Sequence, residues 1–210
     1  MELKEMTYNV LLGAMIITVL GSVASTTHLS SINVIVKALL QPNRINATKQ
    51  MLNLYPWIRN NWDLKEPEFY IGQKITPLCS GNKTRERNLF TAYEKLSGFV
   101  LPLTMAYTYE ETKGNQHYRL AKDLKDTSWW LNNTYMAIYH NVSGLPLLPP
   151  DQKTEAELDE YTRVFLQALV NDKRVSLTIT DDVVKTYRNY TILYTLKDVI
   201  REVLSCFQFI

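Results

Sequence analysis

The order of long and short connections between helical segments is the feature that most limits the fold of this chain. Apolar residues recur at the three- and four-residue spacing of a helix through four long segments. These segments cover about residues 29–61, 84–112, 116–140 and 180–207. Only Lys113-Gly114-Asn115 joins the middle pair, whereas residues 62–83 and 143–179 separate the others. The short turn predicts that the middle helices are antiparallel.

The two long links decide the predicted topology. Each link is able to carry the chain back along a whole helix, because twenty-odd extended residues span roughly 60 Å and a 25-residue helix is about 38 Å long. The pattern therefore predicts an all-α fold, a long-chain four-helix bundle that runs up-up-down-down with two long crossover loops. The first crossover, WDLKEPEFYIGQKITPLCS (residues 62–80), is expected to be an extended strap.

Prolines and capping residues refine the predicted helices. Pro42 and Pro102 are expected to kink the first and second helices, and Pro56 to unwind the end of the first. Thr154 and Glu157 form a Thr-x-x-Glu capping box, which predicts a short extra helix over residues 154–171 of the last crossover. Thr180-Asp181-Asp182 has the composition of a helix start, which is favoured over a paired-carboxylate site.

The apolar periodicity also predicts which side chains face the core. The inward positions are Leu89, Tyr93, Leu96, Val100, Leu103 and Tyr107 in the second helix; Leu120, Leu124, Leu131, Tyr135 and Ile138 in the third; Leu158, Tyr161, Phe165 and Leu169 in the extra helix; and Leu193, Leu196, Ile200, Val203 and Leu204 in the last.

The first 25 residues have the pattern of a secretory signal peptide. The apolar run Val10–Val23 is too short to cross a bilayer, and the small residues Ala24 and Ser25 follow it. A buried core helix or a membrane anchor is the alternative. The prediction is a signal peptide over residues 1–25 and a single domain over residues 26–210, secreted to the extracellular space.

Five Asn-x-Ser/Thr sequons agree with the secretory route. They lie at Asn46, Asn82, Asn132, Asn141 and Asn189. One or two sequons would arise by chance, but five in a chain of 210 residues predict a glycoprotein.

The chain has two cysteines, Cys79 and Cys206. An even count in an oxidising compartment indicates one disulfide bond, and two separate buried thiols are the alternative. In the predicted topology Cys79 precedes the second helix at the end where the last helix finishes with Cys206. A bond between them would stabilise the fold by about 4 to 5 kcal/mol in the chain-entropy treatment.

Three short stretches carry a resemblance to a known family. Asn53-Leu54-Tyr55, Glu66-Pro67-Glu68-Phe69 and Asp181-Asp182-Val183-Val184 are similar to the first-helix exit, the strap and the final helix of the interleukin-6-type helical cytokines. Within that family the chain is most similar to the branch of leukaemia inhibitory factor, ciliary neurotrophic factor and cardiotrophin. The resemblance spans most of the mature chain, but few residues at each place carry it.

The resemblance implies a secreted cytokine with growth factor activity that assembles cell-surface receptors and triggers JAK-STAT signalling. Members of the family bind glycoprotein 130 with the first and third helices, and the leukaemia inhibitory factor receptor with the start of the last helix. The latter contact centres on a Phe-x-x-Lys motif. Residues 183–187, Val-Val-Lys-Thr-Tyr, depart from this motif, so the resemblance leaves the second receptor unspecified.

Two groups of residues are candidates for receptor binding. The predicted outer side of the third helix carries Tyr118, Lys122, Lys125, Trp129 and Met136, and such aromatic residues beside lysines are typical of interface hot spots. The alternative is that the strap or the 154–171 helix covers Trp129.

The second group lies at the start of the last helix. It consists of Val184, Lys185, Tyr187 and Arg188, and the alternative is a first turn that is solvated or covered by the strap. Tyr190 and Tyr194, further along, are expected in the core or at its boundary.

Other classes of function have little support in the sequence. The formal charge is +2, from 23 basic and 21 acidic residues that are well mixed, which does not favour a nucleic-acid partner. His28, His117 and His140 are scattered, and the chain has no metal-ligand cluster, P-loop or nucleophile elbow. We therefore expect no enzyme activity, no cofactor, no membrane insertion of the mature chain and a monomer. The alternative function is a secreted helical carrier of lipid or another apolar ligand, which an internal apolar cavity would distinguish.

Overall fold

The computed structural model describes residues 46–67, 85–139 and 153–207. Every regular element in these ranges is a helix, and the ranges contain no β-strand. The helices are α1 (Asn46–Leu54), α2 (Pro56–Arg59), α3 (Trp62–Lys65), α4 (Arg85–Ser97), α5 (Val100–Thr112), α6 (Tyr118–Tyr139), α7 (Glu155–Asn171) and α8 (Asp181–Phe207). A 3₁₀ turn, Asn115–His117, precedes α6. The all-α prediction is confirmed, and none of the described helices is long and apolar enough to span a bilayer.

The first helical segment ends earlier than the apolar pattern predicts. Tyr55 leaves the helical conformation, with φ −121° and ψ 76°, and Pro56 begins α2. The predicted unwinding is limited to Tyr55, because residues Pro56–Arg59 are helical again. Pro42 and residues 68–83 lie outside the described part of the chain.

The beginning of the strap is helical, which corrects the prediction of a wholly extended segment. Residues Trp62–Lys65 form the single turn α3, and the side-chain oxygen of Asn61 accepts a hydrogen bond from the backbone N–H of Leu64 at 3.3 Å. This side-chain cap replaces an intrahelical acceptor, so even one turn is stabilised.

The second helical segment is divided at Gly98–Phe99 and not at Pro102. Pro102 lies in the first turn of α5, where a missing N–H removes no helical hydrogen bond and proline is tolerated. In a continuous helix the Gly98 carbonyl would accept from residue 102, and a proline there lacks the N–H and clashes with that carbonyl. The bend predicted for Pro102 is therefore found as a break one turn earlier, between α4 and α5. Phe99 and Ala106 are buried, whereas the predicted core residues Val100 and Tyr107 are half-buried.

The turn between α5 and α6 is confirmed. Gly114 has φ +84°, a conformation that residues with a side chain seldom adopt, and it separates α5 from the 3₁₀ turn. The two helices then run antiparallel, with the Thr104 and Ser128 hydroxyls 3.3 Å apart.

Most of the predicted inward positions are in the core. Buried residues are Leu89, Tyr93, Leu96 and Leu103 in α4 and α5, Leu120, Leu124, Leu131 and Ile138 in α6, Leu158 and Leu169 in α7, and Leu193, Leu196, Ile200 and Val203 in α8. Phe165 and Leu204 are half-buried, and the side chain of Tyr135 lies outside the described residues. Tyr161 is wrongly predicted: it is exposed, because Thr162 and Leu166 continue the inward stripe of α7.

The helix starts in the second half of the chain are capped as predicted. The Thr154 hydroxyl accepts from the backbone N–H of Glu157 while the Glu157 carboxylate accepts from the N–H of Thr154, a complete capping box. The Thr180 hydroxyl accepts from the N–H of Val183 at the start of α8.

The packing partners relate the directions of the helices. α6 packs against α1, α4 and α5, and α8 packs against α1, α4, α5 and α7. Tyr55, just after α1, donates to Glu110 near the end of α5 at 3.0 Å, and Lys113 contacts Asp182 at the start of α8. α1 and α5 thus end where α6 and α8 begin.

Candidate functional site

The outer side of α6 is an exposed aromatic and basic surface. Tyr118 and Trp129 are 70% and 63% exposed, and Lys122 and Lys125 are also exposed. Met136 is half-buried. At 100° per residue the five positions lie within about 60° of one another around the helix. The exposure expected for the first four is confirmed. Of the two alternatives for covering Trp129, the 154–171 helix leaves it exposed, and most of the strap lies outside the described residues.

This surface extends onto α5. The Lys125 ammonium lies 5.3 Å from the centre of the Tyr107 ring, and the Tyr107 hydroxyl donates to Glu111 at 2.7 Å. The hydrogen bond to Glu111 raises the pKa of Tyr107, which keeps the phenol neutral. We call Tyr107, Tyr118, Lys122, Lys125 and Trp129 the α6 surface. The contribution of Tyr107 was missed because the periodicity placed it in the core.

The start of α8 is mostly buried, which corrects the second candidate surface. Val184, Tyr187 and Arg188 are buried, and only Lys185 is partly exposed. The Phe165 ring of α7 stacks on Tyr187 with the ring centres 6.0 Å apart. These three side chains are therefore not available as an exposed binding surface.

Residues from α2 and α3 also cover Tyr187. Its hydroxyl donates to the Leu64 carbonyl at 3.2 Å, and the Trp57 ring centre lies 6.3 Å from its own. Burial raises the pKa of Tyr187. Tyr190 is also buried and donates to the Lys65 carbonyl at 2.5 Å. Its predicted core position is confirmed, as is the boundary position of Tyr194, which is half-buried.

Arg188 is a fully buried cation that joins α7 to α8. Its guanidinium donates to Glu155 at 2.9 Å and to Asp159 at 2.8 Å. The remaining N–H groups donate to the side-chain oxygen of Asn189 at 3.1 and 3.2 Å. Burial raises the pKa of Asp159, and the charge of Arg188 opposes that effect. A buried guanidinium with several acceptors has the geometry that such a charge requires.

A second buried charge, Glu110, lies at the end where α5 ends and α8 begins. Its carboxylate accepts from Tyr55 at 3.0 Å and Asn189 at 3.4 Å, and it pairs with His117 at 2.8 Å. Sequence reasoning missed this residue. The available signal was its position four residues after the buried Ala106, on the inward stripe of α5, where a carboxylate requires partners.

Lys113 completes this polar cluster. Its ammonium lies 2.8 Å from Asp182 and donates to Tyr55 and Thr186, each at 3.2 Å. Burial alone would lower the pKa of Lys113, but the hydrogen bonds to Asp182, Tyr109 and Tyr55 raise it above its usual value. The same contact with Lys113, together with Tyr109, lowers the pKa of Asp182. Asp182 thus has an ion-pair role in addition to the predicted helix start.

The sequons differ in accessibility. Asn46 is exposed at the start of α1, and Asn132 is half-buried on α6. Asn189 is fully buried, and its amide nitrogen donates to Glu110. A glycan on this nitrogen does not fit the structure. The prediction that Asn189 is a glycosylation site is therefore wrong. Asn82 and Asn141 lie outside the described residues.

The predicted disulfide bond remains a prediction. Cys79 lies outside the described part of the chain, and Cys206 belongs to α8 but its side chain is not described. Within the described residues no group of three or more His, Cys, Asp or Glu side chains is arranged to hold a metal ion.

Comparison with known proteins identifies no relative: no family model, curated protein or solved structure matches the chain.

Proposed function

We propose that this protein is a secreted, glycosylated cytokine that brings cell-surface receptor chains together. The observation that carries the proposal is the α6 surface, where Trp129 and Tyr118 are exposed beside two lysines on a helix whose opposite side is buried. Exposed aromatic residues at the centre of a fixed patch are the usual anchors of protein–protein interfaces.

The helix directions support a long-chain four-helix bundle with up-up-down-down topology. α1 and the α4–α5 pair run in one direction, since both Tyr55 and Glu110 lie at the end where the polar cluster forms. α6 and α8 begin at that end, as the contacts of His117 and Asp182 indicate. In such a bundle α6 and α8 lie across the core from each other, because each packs against α1, α4 and α5.

The mechanism is geometric. A rigid helical body holds one receptor chain on the α6 surface and a second chain elsewhere, and so keeps their membrane-proximal parts close together. Associated kinases of the JAK type then phosphorylate one another and the receptors, which starts STAT signalling. No chemical step belongs to the cytokine, so neither a cofactor nor a catalytic residue is required. The proposed receptors are of the glycoprotein 130 and leukaemia inhibitory factor receptor types.

Binding of the purified mature protein to a panel of interleukin-6-type receptor ectodomains tests the proposal. We expect at least one ectodomain to bind with a dissociation constant below about 1 μM. Trp129→Ala is expected to weaken that binding about tenfold or more, because it removes the largest exposed anchor. Glu94→Ala, at an exposed position on α4 outside the α6 surface, is the control and should leave binding nearly unchanged.

Two outcomes would contradict the proposal. One is the absence of submicromolar binding to any ectodomain by a correctly folded sample. The other is saturable binding of a fluorescent fatty acid by the purified protein, with no receptor binding, which would favour the apolar-ligand carrier.

A further inference from the structure

The outward side of α7 carries a second exposed apolar surface. Tyr161 and Val164 are 50% and 60% exposed, and Ala168 is exposed one turn later. At 100° per residue these three positions lie within about 60° of one another around the helix. We call Tyr161, Val164 and Ala168, with the neighbouring Glu157 and Glu160, the α7 surface.

α7 is held firmly beneath this surface. Its opposite side buries Leu158, Leu166 and Leu169, and Arg188 binds two of its carboxylates. The capping box at Thr154 fixes its first turn. The backbone of a helix held in this way loses little further conformational entropy on binding, which favours a stable contact.

The charge of the α7 surface differs from that of the α6 surface. Glu157 and Glu160 are exposed in the two turns that lead to Val164. The Lys153 ammonium also lies on this side, 4.0 Å from the centre of the Tyr161 ring. The α6 surface instead carries Lys122 and Lys125. Like charges at an interface repel and opposite charges attract. The glutamates of the α7 surface therefore favour a basic partner, and the lysines of the α6 surface favour an acidic one.

α7 also occupies the place where the second receptor contact was expected. It packs on α8 and covers Tyr187 with Phe165, so the side that reaches solvent there belongs to α7. α6 packs instead on α1, α4 and α5. The α6 and α7 surfaces thus lie on two helices that are not principal packing partners of each other.

We infer that the α7 surface binds a second receptor chain whose contact region presents Arg or Lys side chains around an apolar patch. This inference rests on the proposed function and assigns its second contact to α7 instead of the buried start of α8. The two receptor chains differ in charge at their contact regions, acidic against α6 and basic against α7.

Surface plasmon resonance with the same ectodomain panel tests the inference. Val164→Asp is expected to weaken the binding of one ectodomain about tenfold or more, because it places a charge at the centre of the apolar patch. The same variant should change the affinity for the other ectodomain, whose binding depends on Trp129, by less than about twofold. Glu160→Lys should slow association of the α7 partner at low salt, since it removes electrostatic attraction.

Control variants separate loss of binding from loss of folding. Arg163→Ala changes a partly exposed side chain about 130° around α7 from the apolar patch and should leave binding of both ectodomains unaffected. If circular dichroism shows that the Val164→Asp variant is not folded, Tyr161→Ala takes its place, because it removes an exposed ring without adding charge.

The outcomes distinguish this inference from the proposed function. If the α7 variants leave every ectodomain unchanged while Trp129→Ala still weakens one, the inference is overturned and the proposed function stands. Self-association in sedimentation experiments that Val164→Asp abolishes would assign the surface to a second copy and also overturn the inference. Binding of no ectodomain by the parent protein overturns both.

Discussion

At the scale of single residues, Glu110 is a fully buried carboxylate that Tyr55, His117 and Asn189 share as a hydrogen-bond partner. We expect Glu110→Ala to lower the free energy of unfolding by about 3 kcal/mol, because the buried Tyr55 and Asn189 and the half-buried His117 lose their common partner. Urea denaturation followed by circular dichroism measures this change.

The neighbouring Glu111 provides the control, since it is exposed and its hydrogen bond from Tyr107 lies at the surface. Glu111→Ala should change the free energy of unfolding by less than about 0.5 kcal/mol. If both variants lost a similarly small free energy of unfolding, the hydrogen bonds of Glu110 would not stabilise the fold.

The Lys113–Asp182 pair predicts how stability depends on pH. The pKa of Asp182 is lowered in the folded state, so its contribution is present above its unfolded value of about 3.9 and is lost as the pH falls through the folded value. The pKa of Lys113 is raised, so its contribution is present below about 10.4 and is lost as the pH rises through the folded value. The pair therefore stabilises the fold between these limits.

Asp182→Asn tests this sign. The difference in urea midpoint between the parent protein and the variant should be constant between about pH 5 and 9, and should shrink below about pH 4. A difference that persists undiminished at about pH 2 would show that the carboxylate charge is not responsible.

At the scale of helices, the attachment of α7 depends on Arg188. Arg188→Ala is expected to lower the free energy of unfolding by about 2 to 4 kcal/mol, because it removes a buried ion pair and leaves a cavity. Amide hydrogen exchange in α7 should accelerate more than in α6. Arg163→Ala is the control: its pair with Asp181 is exposed, and its loss should cost less than about 1 kcal/mol.

If hydrogen exchange accelerates equally in α6 and α7 when Arg188 is replaced, the residue supports the whole core and not the attachment of α7. If the Arg163 variant loses as much stability as the Arg188 variant, burial of the guanidinium does not explain the effect.

The helices also show where local sequence patterns succeed and fail. The capping box of Thr154 and Glu157 and the buried stripe of α6 were predicted, because both depend on residues three or four positions apart. For the second helical segment the sequence predicted a bend by Pro102, and the structure has a complete break at Gly98–Phe99, one turn earlier, because the proline ring clashes with the carbonyl four residues before it. The turn α3 was missed because the proline content of the strap favoured an extended chain.

At the scale of the whole molecule, the predicted Cys79–Cys206 bond would close a loop over most of the mature chain. We expect no free thiol in the unreduced protein under denaturing conditions, and a loss of about 4 kcal/mol on reduction, because the unfolded chain regains entropy. Thiol titration and urea denaturation with and without reductant measure these two quantities.

The double variant Cys79→Ser with Cys206→Ser should unfold like the reduced parent protein. Two reactive thiols in the unreduced denatured protein would instead favour two separate buried cysteines.

The sequence by itself determined the helical class, the approximate positions of the helices and the exposed side of α6, because the helical period and the capping motifs are local properties. Only the tertiary structure decided that Val184, Tyr187 and Arg188 are buried, that Asn189 is inaccessible to a glycan, and that Tyr161 is exposed. Whether a side chain reaches solvent depends on which segment packs over it, and α3 and α7 are distant in sequence from the residues of α8 that they cover. The roles of Glu110 and Arg188 follow the same rule, since buried charges are stabilised by partners that the fold brings together from several helices.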